Sequence, residues 1–398
     1  MLLRNRNAAQ EQLETSWSDG RNALACLSVR SGFDMLLQHL ALPRGSEILV
    51  SAITIRDMVG IIEHHGLHAM PVDIDPATCA PGPDLLARVI TPRSKAILVA
   101  HLFGSHMDLT DIIAIAMQHK LFVFEDCAQA YAADGYRGHP ASDVAMFSFG
   151  PIKTATALGG ALMTFRDRAL RENINRLQAR YAAQPRARFT QRLLKYSALK
   201  ALSSRALYSI FTALCKLCGT THDRIISGAV RGFAGGDLMH KLRHQPSVPL
   251  LALLSRRLRD YKPAHLAARI TAASRTTVSL PTPARIGEHA QSHSHWVLPV
   301  RSRQPDALVR HLWHHSIDAT RGASSMYAAR RTDDHSAPPV ARELMDHVVY
   351  LPVDDVADSE IDRMTDIVRS FETSDALHNT SSPLTPARST HAAPEPER

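Results

Sequence analysis

Lys153 occupies the position of the 398-residue sequence that most strongly indicates covalent chemistry. It ends the run Ser148-Phe149-Gly150-Pro151-Ile152-Lys153, which follows the β-like segment Val144 to Phe149 and precedes the pair Gly159-Gly160. A lysine amine attacks an aldehyde only when it is positioned and neutral, and burial at the mouth of a sheet lowers its pKa. We therefore expect Lys153 to hold the aldehyde of a cofactor.

A carboxylate follows an earlier apolar strand. Leu121 to Phe124 leads directly into Glu125-Asp126, so Asp126 is expected at a strand's carboxyl end, facing the same crevice as Lys153. Pyridoxal phosphate (PLP) needs such a pair, because a carboxylate keeps the pyridine nitrogen protonated and a lysine carries the aldehyde and shuttles the proton. A solvated surface lysine is the alternative for Lys153 alone, and the order of the surrounding motifs argues against it.

Several separate blocks then resemble the DegT/DnrJ/StrS-type PLP-dependent aminotransferases, whose typical members aminate nucleotide-linked keto sugars. The blocks occur in the family's order and lie at 45–50, 71–75, 90–97, 101–104, 125–130 and 148–153. The resemblance implies an α/β protein of PLP-dependent transferase fold type I, similar to aspartate aminotransferase. In that fold a mostly parallel mixed sheet flanked by helices forms the large domain, and a small α+β domain follows.

The resemblance also assigns roles to individual residues. Lys153 would form the Schiff base and move the proton, and Asp126 would pair with the pyridinium nitrogen. Gln129 would lie near the ring hydroxyl, and the Ser148 hydroxyl would bind the cofactor phosphate. Ile55 occupies the position where the family stacks an aromatic ring, so it would cover a ring face without π overlap.

The remaining phosphate ligands are expected at a helix N-terminus, where backbone N–H groups and the helix dipole favour an anion. The candidate is Arg30-Ser31-Gly32-Phe33-Asp34, with Ser31 and Gly32 as ligands, and the segment Asp19 to Leu24 competes for this role. Arg243 stands near the family's Asn-x-Arg segment, which reaches the cofactor phosphate of the neighbouring subunit. Arg243 would make that contact in a homodimer with a shared active site.

Composition and periodicity predict four regions. Residues 1–180 form the PLP-binding large domain, where short apolar runs alternate with amphipathic segments such as Leu109 to His119. Residues 181–245 form a basic helical insert or linker. Residues 246–372 form the small domain, with the strand–helix–strand–helix pattern that starts at Trp296. From 373 to 398 the chain is rich in Ser, Thr, Pro and Ala, and we expect a disordered tail.

The basic insert has two interpretations. Apolar residues interleave with Lys195, Lys200, Arg205 and Lys216 over about 190–218, which is typical of a membrane-surface or lipid-substrate contact and also of a helix packed on the domain or a partner subunit. The packed helix is favoured, because apolar helical spacing is more often core than membrane.

The net charge and the cysteine and histidine residues limit the kinds of binding partner that the sequence predicts. The formal net charge is +8, but the basic residues are spread without a nucleic-acid module, so we expect an anionic substrate rather than nucleic acid. No apolar run is long enough to span a bilayer. Five scattered cysteines suit a reducing cytoplasm, and no histidine or cysteine group has the spacing of a metal site.

The sequence therefore predicts a cytoplasmic PLP-dependent aminotransferase that moves an amino group from an amino acid, glutamate by expectation, to a carbonyl compound. The resemblance implies that this acceptor is a keto sugar, linked to a nucleotide, in polysaccharide or secondary-metabolite biosynthesis. Two alternatives stay open. The first is a PLP enzyme acting on a lipid-linked or other non-sugar ketone. The second is a catalytically silent relative that binds PLP as a regulator or scaffold.

Overall fold

The computed structural model describes residues 5–18, 22–201, 204–218, 237–322, 325–354 and 356–379. The strands are β1 (Asn22–Cys26), β2 (Glu47–Ser51), β3 (Ile53–Ile55), β4 (His68–Val72), β5 (Ser94–Ala100), β6 (Ser105–His106), β7 (Phe122–Asp126), β8 (Val144–Ser148), β9 (Ala161–Phe165), β10 (Ala182–Ala183), β11 (His244–Gln245), β12 (Ser292–His293), β13 (Leu298–Arg301), β14 (Met326–Ala328) and β15 (Val348–Leu351).

The α-helices of the described residues follow in chain order. They are α1 (Arg6–Ser18), α2 (Val29–Leu40), α3 (Arg56–His64), α4 (Pro83–Val89), α5 (Thr110–Gln118), α6 (Arg168–Ala179), α7 (Arg186–Ala201), α8 (Arg205–Leu217), α9 (Leu238–Leu242), α10 (Val248–Arg259), α11 (Pro263–Ser279), α12 (Pro305–His314), α13 (Pro339–His347) and α14 (Asp358–Asn379).

A seven-stranded mixed sheet in the order β1-β9-β8-β7-β5-β2-β4 organises the first half of the chain. Strands β8, β7, β5, β2 and β4 run parallel, and β9 runs antiparallel to both of its neighbours. Each of these parallel strands is mostly buried, because helices cover both faces of the sheet. Strands β7 and β8 are adjacent, so their carboxyl ends open at the same edge.

Aromatic contacts mark the packing on each face of this sheet. On one face, Phe33 of α2 meets Phe124 edge-to-face with ring centroids 5.2 Å apart. On the other face, Trp17 of α1 meets Phe147 at 5.1 Å. Both faces are thus packed with buried rings, which holds the strand ends in place.

The C-terminal region has a core of its own. Strands β13 and β15 pair antiparallel, with Leu298 opposite Leu351, and α11, α12 and α14 pack on them. Helix α10 belongs elsewhere, because Leu251 and Leu254 pack with Leu13 and Trp17 against the large sheet. The fold class is as expected from the sequence, whereas the first helix of the proposed small domain packs on the large one.

Other expectations can be compared with the described residues. Among its described residues, the region 181–245 contains the helices α7, α8 and α9. The last helix continues through Asn379, so 373–379 do not belong to a disordered tail, and 380–398 lie outside the described residues. Within the described part of the chain, every helix is too short or too polar to cross a membrane.

Candidate active site

A cavity of about 220 Å³ opens at the carboxyl ends of β7 and β8. Asp126 and Ser148 line it from the two strand ends, and Lys153 lines it from the loop after β8. The first turn of α2, strand β3 and four residues of the C-terminal region also contribute to the lining. The strand order therefore brings together the lysine and the carboxylate that the sequence singled out.

Lys153 is half-buried and contacts an aromatic ring. Its Nζ lies 3.8 Å from the centroid of Trp296, and the Trp296 indole N–H donates a 2.6 Å hydrogen bond to the Ile152 carbonyl. The pKa of the Lys153 amine is lowered to about 7, mainly by burial; the charge of Asp126 opposes this change and the charge of Arg30 adds to it. A large fraction of the amine is therefore neutral, and so nucleophilic, near neutral pH.

Asp126 lines the same cavity as Lys153, and one of its carboxylate oxygens is available for a hydrogen bond. Its Oδ1 accepts a 2.9 Å hydrogen bond from the Ala128 backbone N–H, and within the described residues Oδ2 has no hydrogen-bond partner. Burial raises the pKa of Asp126, while the Ala128 N–H and the charge of Lys153 oppose that rise. A carboxylate in this state gains stability from a cationic N–H placed in the cavity.

The neighbouring Glu125 points to the opposite face of the sheet, where it is fully buried. It accepts hydrogen bonds from His101 Nε2 at 3.0 Å, Ser142 Oγ at 2.7 Å, the His139 backbone N–H at 2.8 Å, and the Tyr136 hydroxyl. Burial alone would raise the pKa of Glu125, but these donors, led by His101, bring it down to about 2.

His101 therefore lies on the same side of the sheet as Glu125 and does not line the cavity. Its Nδ1 accepts from the Met107 N–H at 3.2 Å, so the proton on Nε2 is the one donated to Glu125. Cys127 also donates to Glu125 at 3.2 Å and is fully buried. This group anchors the end of β7 from its rear face.

Gln129 and Ser148 also reach the cavity. Gln129 Oε1 accepts a 2.7 Å bond from the Phe103 N–H, and its Nε2 lies 3.2 Å from Met326 Sδ. The Ser148 hydroxyl makes no hydrogen bond within the described residues. Ile55 lines the cavity at the end of β3, where it pairs with Met326 of β14.

At the N-terminus of α2, the residues that line the cavity differ from the phosphate ligands expected from the sequence. Ser31 is 2% exposed, and its Oγ lies 2.9 Å from Oγ of Ser28, the helix cap. A Cβ on Gly32 would lie 2.2 Å from Met163 Sδ, so this glycine allows α2 to pack on the sheet. The Ser31 and Gly32 amides both donate to Ser28. The residues at the cavity are instead Val29 and Arg30.

Arg243 does not line the cavity. Its Nε and Nη2 donate to Asp34 at 3.0 and 3.1 Å, and Asp34 is fully buried with His65 as a second partner at 2.9 Å. The guanidinium thus neutralises a buried carboxylate of its own chain. Its expected contact with the cofactor phosphate of a neighbouring subunit stays a prediction. In the competing segment, 19–21 lie outside the described residues, and Asn22 begins strand β1 rather than a helix.

Trp296 and Met326 line the cavity although sequence analysis did not select them for the site. Each meets its partner across a long sequence separation: 144 residues between Trp296 and Ile152, and 197 between Met326 and Gln129. No local motif marks such contacts. Arg30 lay inside the segment that was selected for phosphate binding, but Ser31 and Gly32 were the residues chosen as ligands there.

The fold and the cavity define a class, that of α/β proteins with an aminotransferase fold. Residues 6–198 match the model of the DegT/DnrJ/EryC1/StrS aminotransferase family, so the chain carries a domain of that family, and the resemblance found in the sequence is confirmed.

Two curated relatives are similar over part of their length. GDP-perosamine synthase of Caulobacter vibrioides is 33% identical over 150 residues, which cover 37% of this chain and 40% of that protein. dTDP-3-amino-3,4,6-trideoxy-alpha-D-glucose transaminase of Micromonospora megalomicea is 32% identical over 168 residues, covering 40% and 45%. The chain thus matches less than half of the length of these relatives.

The structural likeness extends further along the chain. The solved aminotransferase from Psychrobacter cryohalolentis has a TM-score of 0.65 and 22% sequence identity, covering 93% of this chain and 92% of that one. At this identity the likeness establishes the fold. The fold predicted from the sequence is therefore confirmed.

Proposed function

We propose that the protein is a PLP-dependent aminotransferase that moves an amino group from an amino acid, glutamate in the first instance, to a keto sugar linked to a nucleotide. The observation that carries this proposal is the presence of Lys153 and Asp126 in one cavity at neighbouring strand ends. The names of the two curated relatives support the sugar as acceptor.

The residues of the cavity fit this cofactor. Asp126 has an unpaired oxygen for a protonated ring nitrogen, and the unpartnered Ser148 hydroxyl can donate to phosphate. Arg30 adds positive charge at the N-terminus of α2, where the first amides of a helix lack intrahelical partners. Ile55 and Gln129 would cover and border the ring. PLP, when bound, supplies an aldehyde for amino-group transfer and a ring that stabilises a carbanion.

Lys153 performs the remaining chemistry in this proposal. Its neutral amine takes the proton from the carbon that bears the substrate's amino group, and the resulting ammonium returns that proton on the other side of the transfer. Asp126 keeps a proton on the ring nitrogen by accepting its hydrogen bond. Trp296 and Met326 narrow the opening, which limits water at the Lys153 amine.

A second acceptor class has one observation in its favour. Helices α7 and α8 expose several leucine side chains next to basic residues, so a lipid-linked ketone is a second candidate acceptor. Paired assays with a keto-sugar nucleotide and a lipid-linked ketone, at equal PLP loading, separate the two acceptors.

The experiment that tests the function is the absorbance spectrum of the purified protein before and after glutamate is added. We expect a band at the violet edge of the visible range that glutamate removes and that Lys153→Ala lacks. Lys95→Ala, at an exposed lysine of β5, is the matched control and keeps the band. A band that no amino acid alters would contradict aminotransfer, and a protein without a band after PLP is added would contradict the cofactor.

The assembly and the compartment stay predictions. We propose a homodimer with a shared active site, which light scattering tests; within one protomer Arg243 pairs with Asp34, and its contact with the partner's cofactor phosphate stays a prediction. The five cysteines, none of them in a disulfide, support a reducing compartment such as the cytoplasm.

A further inference from the structure

The large apolar side chains that remain exposed are concentrated in one part of the chain. Ten such side chains are exposed among the described residues, and six of them lie on α7 and α8: Leu193, Leu194, Leu207, Ile210, Leu214 and Leu217. Single exposed apolar residues are ordinary on a protein surface, whereas a contiguous group marks an interaction surface. We refer to α7 and α8, residues 186–201 and 205–217, as the docking segment.

Helix α8 presents these residues as a stripe. Leu207, Ile210, Leu214 and Leu217 follow one another at intervals of three and four residues, so they share one face of the helix, and they are 45 to 83% exposed. Cys215 is buried and faces the protein body. The stripe therefore points away from the protein body, in the direction where a partner would cover it.

Helix α7 is fixed to the protein body through Phe189 and Arg192. Phe189 is buried, and Arg192 Nη1 donates a 3.0 Å hydrogen bond to the Leu158 carbonyl in the loop that follows Lys153. Leu194 and Lys195, which are more than about 100° from Phe189 around the helix axis, are both exposed. An apolar and a cationic side chain thus lie next to each other on the surface.

The docking segment carries charge of a single sign. Its sequence from Arg186 to Leu217 contains seven Lys or Arg residues and no Asp or Glu. A partner must therefore combine an apolar interior with a negative surface. An anionic lipid bilayer has both properties, because acyl chains accept the leucines while headgroups attract the lysines and arginines.

The alternatives fit the segment less well. A second copy bound through the same face would bring two positive surfaces together with no carboxylate from the segment between them. Single-stranded nucleic acid needs exposed aromatic rings for base stacking, and Phe189, Tyr196 and Phe211 are buried or half-buried. We propose that α7 and α8 dock the protein on an anionic membrane surface, with Ile210 and Leu214 in the acyl region. This proposal is independent of the catalytic function.

The test is flotation of the full-length protein with lipid vesicles. We expect the protein to float with vesicles that combine phosphatidylcholine and phosphatidylglycerol, and to stay behind with phosphatidylcholine alone. Raising the salt concentration should weaken the association, because it screens the headgroup attraction. The variant Ile210→Asp/Leu214→Asp should bind at least about tenfold more weakly, since each substitution removes the transfer energy of a large apolar side chain.

The matched control is Met117→Asp/Val278→Asp, which introduces the same charges at two exposed apolar residues outside the docking segment. This control should float like the original protein. If the aspartate variant fails to fold, Ile210→Gln/Leu214→Gln replaces it, with thermal unfolding as the check. The proposal is overturned by absent flotation, by equal flotation with both vesicle types, by equal loss in the control, or by an oligomer that Ile210→Asp/Leu214→Asp dissociates while vesicles leave the protein unbound.

Discussion

The indole of Trp296 contacts both the Lys153 amine, 3.8 Å from the ring centroid, and the carbonyl of the preceding Ile152, through a 2.6 Å hydrogen bond. A residue of the C-terminal region thus determines where the loop after β8 places its lysine. The ring face favours a cation, while the burial that the same ring provides favours the neutral amine.

Replacing this indole should affect cofactor binding through a single hydrogen bond. Trp296→Phe keeps an aromatic face but removes the N–H donor, which should lower the free energy of unfolding by about 1 kcal/mol and weaken PLP binding about threefold to tenfold. Trp313→Phe is the matched control, since its N–H also donates to a carbonyl, that of Ala319, at 2.8 Å. Equal PLP affinities in the two variants, measured by titration, would refute this role for Trp296.

The reactivity of Lys153 should depend on pH. Because the neutral amine reacts and its pKa is about 7, trapping of PLP by borohydride reduction should rise through that pH and then level off. Asp126→Asn removes the charge that raises this pKa, so the curve should move to lower pH. Arg30→Gln removes a charge that lowers it, so the curve should move to higher pH. Mass spectrometry of the reduced adduct measures all three curves, and two shifts of the same sign would contradict the assignment.

Glu125 should make the protein sensitive to acid. Its pKa in the folded protein is about 2, below an unfolded value of about 4.3. The stabilisation is therefore fully present above about pH 4.3 and is lost as the pH falls toward 2. Glu125→Gln should lower the free energy of unfolding at neutral pH by about 3 kcal/mol and flatten this acid dependence.

Urea denaturation at several pH values measures the effect of Glu125→Gln. The exposed Glu11 of α1 provides the control Glu11→Gln, for which we expect no change in stability. An unaltered acid dependence in Glu125→Gln would show that other carboxyl groups cause the acid sensitivity.

Two helical glycines should respond in opposite ways to the same substitution. Gly32→Ala forces a Cβ to 2.2 Å from Met163 Sδ, so it should destabilise the protein by about 1 to 3 kcal/mol. Gly60→Ala, in the middle of α3, meets no atom within 4 Å and should stabilise the protein by up to about 1 kcal/mol. Thermal unfolding of both variants tests these opposite changes in stability. A stabilised Gly32→Ala variant would show that the Met163 side chain moves aside readily.

The local part of the site could be predicted because its chemistry lies in continuous motifs. Asp126 ends one apolar strand and Lys153 follows another, and parallel neighbours open at the same edge. Ile55, which the family resemblance placed beside the ring, also lines the cavity.

Several contacts of the residues that the sequence singled out involve distant partners and could not be predicted. Arg243 pairs with Asp34 across 209 residues, and neither neighbourhood contains a signal for the other. Ser31 and Gly32 were chosen for their type, but the cap at Ser28 and the packing on Met163 explain both. Side-chain pairing and close packing act in three dimensions, so only the structure reveals them.

The pairing of Met326 with Gln129 also has a consequence for the order of events during synthesis. The two residues are separated by 197 positions, which a ribosome covers in about 10 to 40 s at ordinary elongation rates. In the part of that interval that runs from Lys153 to Trp296, the nascent chain contains the lysine but has neither Trp296 nor Met326 to enclose it. The lysine amine therefore emerges into water with an ordinary pKa and becomes a selective nucleophile only after the C-terminal region has been translated and has folded onto the sheet.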